Sequence, residues 1–134
     1  KKIAKELIAY VKKQNFTHIE LMPLNEYPFD GSWGYQCSGY FSATSRYGSC
    51  HDLMYLINAC HKAGIGVIMD YVPVHFVKDD FSLSYFDGTP LYEYEKPQDA
   101  DSQWGTANFN LWKEEVRSFL MSAAAFWIDK YHVD

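Results

Sequence analysis

The chain has 134 residues, of which 48% are hydrophobic, and a formal net charge of −5. This length and composition allow about one domain with a sizeable hydrophobic core and argue against a disordered chain. The negative charge and the lack of any large cluster of Lys and Arg argue against a nucleic-acid partner. No apolar stretch approaches the ~20 residues that span a bilayer, so no membrane partner is predicted.

The first predicted elements are a helix and a strand. Residues 16–23 form a strand candidate that the proline at its end stops. Gln14 and Asn15 end the helix that precedes it. The helix itself is predicted from apolar residues at helical spacing: Ile3, Leu7, Ile8 and Val11.

A long connection over residues 25–48 is rich in Gly, Ser, Tyr and Trp and is too long for a simple turn, so we predict a functional loop. Ser49, followed three residues later by Asp52, resembles a capping box and predicts the start of a second helix. Gly64 is predicted to end that helix. The apolar face of the helix consists of four residues: Leu53, Leu56, Ile57 and Cys60.

An apolar run over residues 65–69 predicts a strand buried on both faces, as in a parallel sheet covered by helices. Asp70 follows at the carboxyl end of this strand, and His75 comes five residues later. Parallel α/β proteins place ligands and chemistry at that end, so both residues are candidates for a site. The alternative is an Asp in a turn and a His that makes only local hydrogen bonds.

A second long loop is predicted over residues 71–108, followed by a helix capped by Asn110. Residues 131–133 are predicted to begin another strand. Alternating helices and strands are typical of right-handed βαβ units, so the sheet should be parallel. The last helix carries an apolar stripe: Val116, Phe119, Leu120, Ala123, Ala124, Trp127 and Ile128.

The chain opens within a predicted helix and ends at the start of a predicted strand, so we expect residues 1–134 to be part of a larger domain. Two complete strands cannot close a barrel or cover both faces of a parallel sheet. Apolar surface should therefore remain uncovered, and the isolated chain is expected to self-associate.

Several stretches of the chain resemble known motifs. Residues 16–23 are similar to the second barrel strand of the α-amylase superfamily of glycoside hydrolases, and residues 29–36 resemble the loop after it. Residues 70–76 match the family's first signature region, and residues 126–134 resemble the approach to its fourth strand. The resemblance implies that residues 1–134 are a fragment of a catalytic (β/α)8 TIM barrel, from about helix 1 to the start of strand 4.

Within the superfamily, the chain resembles the 1,4-α-glucan branching enzymes most. This choice depends on residues 33–36 and 72–76. The resemblance implies a glycosyltransferase of glycogen biosynthesis that cuts an α-1,4 linkage with retention and passes the chain to a 6-hydroxyl, which forms an α-1,6 branch. The implied partner is therefore an α-glucan, and no cofactor is expected.

The resemblance also implies roles for three residues, and Trp33, beside one of them in the loop, is a fourth candidate. Tyr35 would pack its ring against the glucose whose bond is cut, and His75 would hydrogen-bond a hydroxyl of the same glucose. Asp70 would hold an arginine of the fourth barrel strand. For Trp33, stacking on glucan and packing inside its own loop both remain open.

No catalytic residue is expected within the chain. Retaining glycosidic chemistry uses two carboxyl groups about 5 Å apart. In the family, the segment Gly-x-Arg-x-Asp that holds the nucleophile would follow Asp134. The resemblance therefore implies that the nucleophile and the general acid lie beyond Asp134 and that the isolated fragment is inactive.

The remaining carboxylates and histidines have structural interpretations. The pair Asp79 and Asp80 and the pair Glu93 and Glu95 are predicted to be solvated. His18 and Glu20 alternate along their strand and should make structural hydrogen bonds inside the barrel. Asp134 is likewise interpreted as structural.

The chain's three cysteines form an odd set without metal-ligand spacing. Unpaired thiols are typical of a reducing compartment, so the cytoplasm is predicted. The cysteines in question are Cys37, Cys50 and Cys60.

Three alternatives remain. The first is a hydrolase of the same superfamily, in which water replaces the acceptor sugar. The second is a non-catalytic carbohydrate-binding module with Trp33, Tyr35 and Trp104 as its platform. The third is a metal site, although its residues fit no common zinc spacing: His51, His61, Asp70 and His75.

Overall fold

The computed structural model describes residues 1–134. No helix in it combines the length and the apolar character needed to cross a bilayer. Three short helical segments are also present: 3-10 turns at Asp30–Ser32 and Ser45–Tyr47, and a π-turn at Trp127–Tyr131. The main elements, in chain order, are α1 (Lys2–Lys13), β1 (His18–Leu21), β2 (Asn25–Glu26), β3 (Gly39–Ala43), α2 (Cys50–Lys62), β4 (Gly66–Met69), α3 (Pro97–Ala100) and α4 (Glu114–Phe126).

Strands β1 and β4 pair in parallel, with His18 opposite Gly66 and Leu21 opposite Met69. The predicted parallel unit, with α2 as the connection between its strands, is therefore confirmed. Val67 is fully buried against the helices, whereas Ile68 on the other face is 42% exposed. The prediction that this strand is buried on both faces is wrong, because no helix covers the second face and its apolar side chain remains accessible.

Helix α2 begins with the predicted capping box. The Ser49 hydroxyl oxygen accepts a hydrogen bond from the Asp52 N–H at 3.2 Å, and the Asp52 carboxylate accepts one from the Ser49 N–H at 3.2 Å. Both groups are free donors at a helix N-terminus, so the box satisfies them reciprocally. Gly64 follows the last turn with φ +73°, a conformation in which glycine is unstrained.

Replacing Ser49 by Ala is expected to lower the free energy of unfolding by about 1 kcal/mol, because one N–H of the first turn loses its acceptor. Urea denaturation followed by circular dichroism measures the change. Ser118→Ala is the matched control, since Ser118 is exposed on α4 and its hydroxyl makes no hydrogen bond. Equal denaturation midpoints for the two variants would contradict a stabilising cap.

The same box makes the Ser49 effect dependent on pH. The Ser49 hydroxyl and N–H hold the pKa of Asp52 below its ordinary value. A depressed pKa stabilises the fold above the unfolded-state pKa, and this contribution is lost as the pH falls through the folded-state pKa. The difference between wild type and Ser49→Ala should therefore shrink in acid.

Helix α4 carries the first five residues of the predicted apolar stripe, of which Val116, Leu120 and Ala123 are buried. Trp127 and Ile128 lie in the π-turn that follows, and Ile128 is exposed. The prediction that Asn110 caps this helix is wrong. Lys113 is the N-cap, and its side chain makes no capping hydrogen bond. Asn110 instead accepts from the Trp112 N–H at 3.1 Å in a local turn before the helix, because an Asn side chain can satisfy the backbone two residues on.

The predicted strand over residues 131–133 does not form. Tyr131 ends the π-turn, and His132 adopts a left-handed conformation with φ +57°. The chain nevertheless reaches β4, since the Asp134 N–H donates to the Val67 carbonyl at 2.9 Å and the Asp134 carboxylate accepts from the Val67 N–H at 2.8 Å. The carboxylate also pairs with His61, which agrees with a structural role for Asp134.

The first long connection contains the antiparallel pair β2–β3, with Asn25 opposite Ala43 and Glu26 opposite Gly39. The sequence did not predict this pair, because β2 has only two residues. The second long connection folds back on itself through a bridge between Phe76 and Ala107.

The structure has two hydrophobic clusters. One lies between the parallel strands and the helices and includes Val67 and Trp127. The other lies under the second loop and includes Tyr40 and Phe76. Tyr71 packs against both clusters, and its hydroxyl donates to the Leu120 carbonyl at 3.0 Å.

Candidate functional site

Asp70 lies immediately after β4, where its N–H donates to the Leu21 carbonyl at 2.9 Å and extends the parallel ladder by one bond. Tyr35, in the loop between β2 and β3, donates its hydroxyl to Asp70 Oδ2 at 2.7 Å. This bond raises the pKa of Tyr35 above its ordinary value, because a nearby carboxylate disfavours the phenolate. Two of the predicted site residues therefore meet at the carboxyl end of the parallel strands.

An ionic cluster braces the loop that carries Tyr35. Arg46 Nη1 donates to Glu26 Oε1 at 2.7 Å, and Arg46 Nε donates to Asp30 Oδ1 at 2.7 Å. The guanidinium also lies 3.9 Å from the centroid of the Tyr27 ring. Arg46 thus joins the turn before Trp33 to strand β2.

The sequence analysis did not identify this cluster, although a signal was present. Glu26, Asp30 and Arg46 are the only charged residues within residues 25–48. One cation among two anions in an otherwise uncharged, aromatic loop favours mutual pairing. Counting the charges of the loop would have predicted the brace.

Trp33 and Gly34 both adopt left-handed conformations, with φ +55° and +91°. Trp33 is 69% exposed and lines a groove of about 1020 Å³ beside Met22. An indole this exposed does not fill the interior of its own loop, so the packing role is excluded. Neither Tyr35 nor Asp70 lines this groove.

Gly34→Ala is expected to destabilise the fold by about 1 to 3 kcal/mol, because a left-handed non-glycine residue is strained. An added Cβ would also lie 2.8 Å from the Pro23 carbonyl oxygen, which cannot move freely. Gly88→Ala is the matched control, since Gly88 has a similar φ of +85° but no atom within 4 Å of an added Cβ. Urea midpoints should fall further for Gly34→Ala, and an equal fall would mean that the Pro23 contact is unimportant.

His75 is half-buried at the start of the second loop and has φ +53°. Its Nδ1 lies 3.3 Å from the Thr106 hydroxyl oxygen. Its hydrogen-bond partner is thus Thr106, and not Tyr35 or Asp70. No sequence pattern points to Thr106, which lies 31 residues away and reaches His75 only because the second loop folds back.

Glu93 was predicted to be solvated, and this prediction is wrong. Its side chain is fully buried and accepts hydrogen bonds from the Ser84 hydroxyl at 2.7 Å, the Tyr85 N–H at 2.9 Å and the Tyr92 N–H at 3.1 Å. These donors explain its burial, since a buried carboxylate requires hydrogen bonds. Its partner in the sequence, Glu95, is exposed, and so are Asp79 and Asp80.

The other candidate residues are dispersed. His18 and Glu20 are exposed on the open face of the sheet. Cys37 and Cys60 are buried and Cys50 is exposed, all as separate thiols. The side chains of the metal-site alternative each have a different partner, since His51 contacts Cys50, His61 contacts Asp134, Asp70 contacts Tyr35 and His75 contacts Thr106.

The family model of the alpha amylase catalytic domain matches residues 3–88. The chain belongs to this family. The Tyr35–Asp70 pair therefore lies within the matched segment of an alpha-amylase catalytic domain.

Curated relatives of this alpha-amylase-family chain share more than half of its residues. It is 63% identical to the 1,4-alpha-glucan branching enzyme GlgB of Geobacillus stearothermophilus, over 98% of this chain and 21% of that protein. It is 58% identical to the protein of the same name from Bacillus caldolyticus, over 100% of this chain and 20% of that protein. The chain thus spans about a fifth of the length of these relatives.

Solved structures with the same fold include two alpha-amylases. The enzyme of Geobacillus thermoleovorans, complexed with acarbose, matches with a TM-score of 0.79 and 22% identity, over 98% of this chain and 32% of that one. An Anoxybacillus alpha-amylase matches with a TM-score of 0.82 and 23% identity, over 98% and 31%. At this identity the likeness establishes the fold, a partial (β/α)8 barrel with parallel strands, as the sequence predicted.

Proposed function

We propose that the encoded protein is a 1,4-α-glucan branching enzyme, a glycosyltransferase that forms α-1,6 branches in glycogen. The single observation that carries this proposal is the 63% identity to a branching enzyme over 98% of the chain. Residues 1–134 would contribute part of the substrate cradle of the catalytic barrel. The substrate would be an α-glucan.

The geometry of the cradle supports this role. A half-buried tyrosine ring next to a carboxylate suits a pyranose, which offers an apolar face and polar hydroxyls. We propose that Tyr35 packs against the glucose at the cleaved bond and that His75 hydrogen-bonds one of its hydroxyls. Asp70 would orient both Tyr35 and an arginine supplied by the rest of the barrel. Trp33, exposed beside its groove, would stack on a more distant glucose.

The bond-breaking carboxylates would come from outside residues 1–134. Asp70 is engaged by the Tyr35 hydroxyl. Glu93, the buried carboxylate, receives three hydrogen bonds from its own loop. Neither suits the attacking or the proton-donating role, so the isolated chain should bind glucan weakly and turn none over.

The decisive experiment incubates the encoded full-length enzyme with amylose. Branching creates α-1,6 linkages without a matching rise in reducing ends, because the cut end is transferred to a sugar hydroxyl. Proton NMR measures the linkages, and a reducing-sugar assay measures the ends. A matching rise in reducing ends without branch points would instead indicate a hydrolase, which the alpha-amylase neighbours make the second candidate.

Two further proposals concern the surroundings of the chain. The isolated chain would self-associate through the open sheet face that exposes Ile68. Three thiols without a disulfide favour a reducing compartment, so we place the enzyme in the cytoplasm. Light scattering of the isolated chain tests the first proposal, and cell fractionation tests the second.

A further inference from the structure

A chain of two hydroxyl groups leads to His75 from the second loop. Ser102 Oγ lies 2.7 Å from Thr106 Oγ1, and Thr106 Oγ1 lies 3.3 Å from His75 Nδ1. Thr106 is only 4% exposed. Bulk water therefore competes little for the Thr106 hydroxyl, which forms its hydrogen bonds with protein groups.

The direction of each hydrogen bond follows from counting lone pairs. Ser102 Oγ already accepts from the Trp104 N–H at 3.2 Å and from the Thr106 N–H at 3.3 Å. A hydroxyl oxygen has two lone pairs and one proton, so the Ser102 proton is the only group left for Thr106. Ser102 therefore donates to Thr106. The Thr106 hydroxyl has one other partner, His75 Nδ1, so its own proton is donated there, because otherwise a buried donor would remain without an acceptor.

This direction determines the tautomer of His75. Because Thr106 donates, His75 Nδ1 must be the accepting, unprotonated nitrogen, and the ring proton then resides on Nε2. Nε2 makes no hydrogen bond within the chain, and the imidazole is half-buried. The free edge of the ring is thus an N–H donor.

We propose that Thr106, set by Ser102, is a positioning residue that holds His75 as the Nε2–H tautomer and so presents a hydrogen-bond donor to a sugar hydroxyl oxygen. The assignment of the tautomer does not depend on which reaction the protein catalyses. The assignment of a sugar hydroxyl as the acceptor of the Nε2–H bond rests on the proposed function.

The backbone keeps the two segments in register. The Phe76 N–H donates to the Ala107 carbonyl at 3.0 Å, and the Ala107 N–H donates to the Phe76 carbonyl at 2.7 Å. His75 and Thr106 each precede a bridged residue, so this antiparallel bridge brings them to diagonal positions from which their side chains meet. An ion pair between Lys78 and Asp101 joins the same two segments further out.

Nitrogen-15 NMR of the imidazole tests the tautomer on the full-length protein without glucan. In alkaline buffer, the neutral imidazole of the wild type should show a protonated Nε2 and an unprotonated Nδ1. Thr106→Val removes the donor and should produce a mixture of both tautomers. Thr106→Ser keeps the hydroxyl and should restore the wild-type spectrum.

Kinetics of the encoded enzyme test the positioning role. Thr106→Val should raise the KM for amylose about fivefold, the value of one hydrogen bond, and Thr106→Ser should restore it. A protonated Nδ1 in the wild type, or an unchanged tautomer in Thr106→Val, would overturn the proposal. The NMR measurement requires no enzymatic activity, so the two proposals can fail independently. A negative branching assay would not contradict the tautomer assignment, and a negative NMR result would not contradict the proposed branching activity.

Discussion

Replacing Asp70 by Ala is expected to lower kcat/KM of the proposed branching reaction at least ~100-fold. The Tyr35 hydroxyl loses the acceptor that lies 2.7 Å away, so the ring is free to turn from the position it holds in the proposed cradle. Displacements of about 1 Å at a positioned group cost on this order of rate. Branch-point formation on amylose measures the effect.

Asp80→Ala is the matched control for this prediction. Asp80 is an exposed carboxylate in the second loop, so its removal subtracts the same charge without touching Tyr35. Tyr35→Phe removes the other half of the bond, and the double variant should lose less than the sum of the two single losses, because the residues share one interaction. Additive losses, or equal activity of Asp70→Ala and Asp80→Ala, would refute a coupled pair.

Trp127→Ala is expected to destabilise the fold by about 3 to 5 kcal/mol, the usual cost of truncating a buried large aromatic residue. Trp127 is 2% exposed and packs 4.5 Å, centroid to centroid, from Tyr131. Its Nε1–H also donates to the Tyr40 carbonyl at 3.0 Å. Since small domains have about 5 to 15 kcal/mol of stability in all, the variant should be marginally folded.

Thermal and urea denaturation followed by far-ultraviolet circular dichroism measure this loss. Ile128→Ala is the matched control, because Ile128 is the next residue of the same turn but is 56% exposed. Trp127→Phe separates the two contributions, since it keeps most of the apolar volume and removes one of the two donors to the Tyr40 carbonyl, which still accepts from the Asn25 side-chain amide at 3.0 Å. A fall in stability for Ile128→Ala as large as that for Trp127→Ala would mean that burial at this position is unimportant.

Local sequence signals predicted the regular elements well. The capping box at Ser49 and the alternation of apolar runs with glycine depend on neighbours within about four residues. They predicted the second helix and the strand before Asp70 without knowledge of the rest of the chain. The prediction that depended on a single polar residue was wrong, since Asn110 accepts from the N–H of Trp112 in a turn and lies three residues before the N-cap Lys113.

The sequence by itself determined the parallel βαβ unit, and with it the position of Asp70 at a strand end, because hydrophobic periodicity and capping are local. Only the tertiary structure decided which side chains meet there. The Tyr35–Asp70 bond spans 35 residues and the His75–Thr106 contact spans 31. The same holds for Glu93, whose burial depends on donors that a folded loop brings to it. Such pairings require two long loops to fold against one sheet edge, and no local pattern encodes that arrangement.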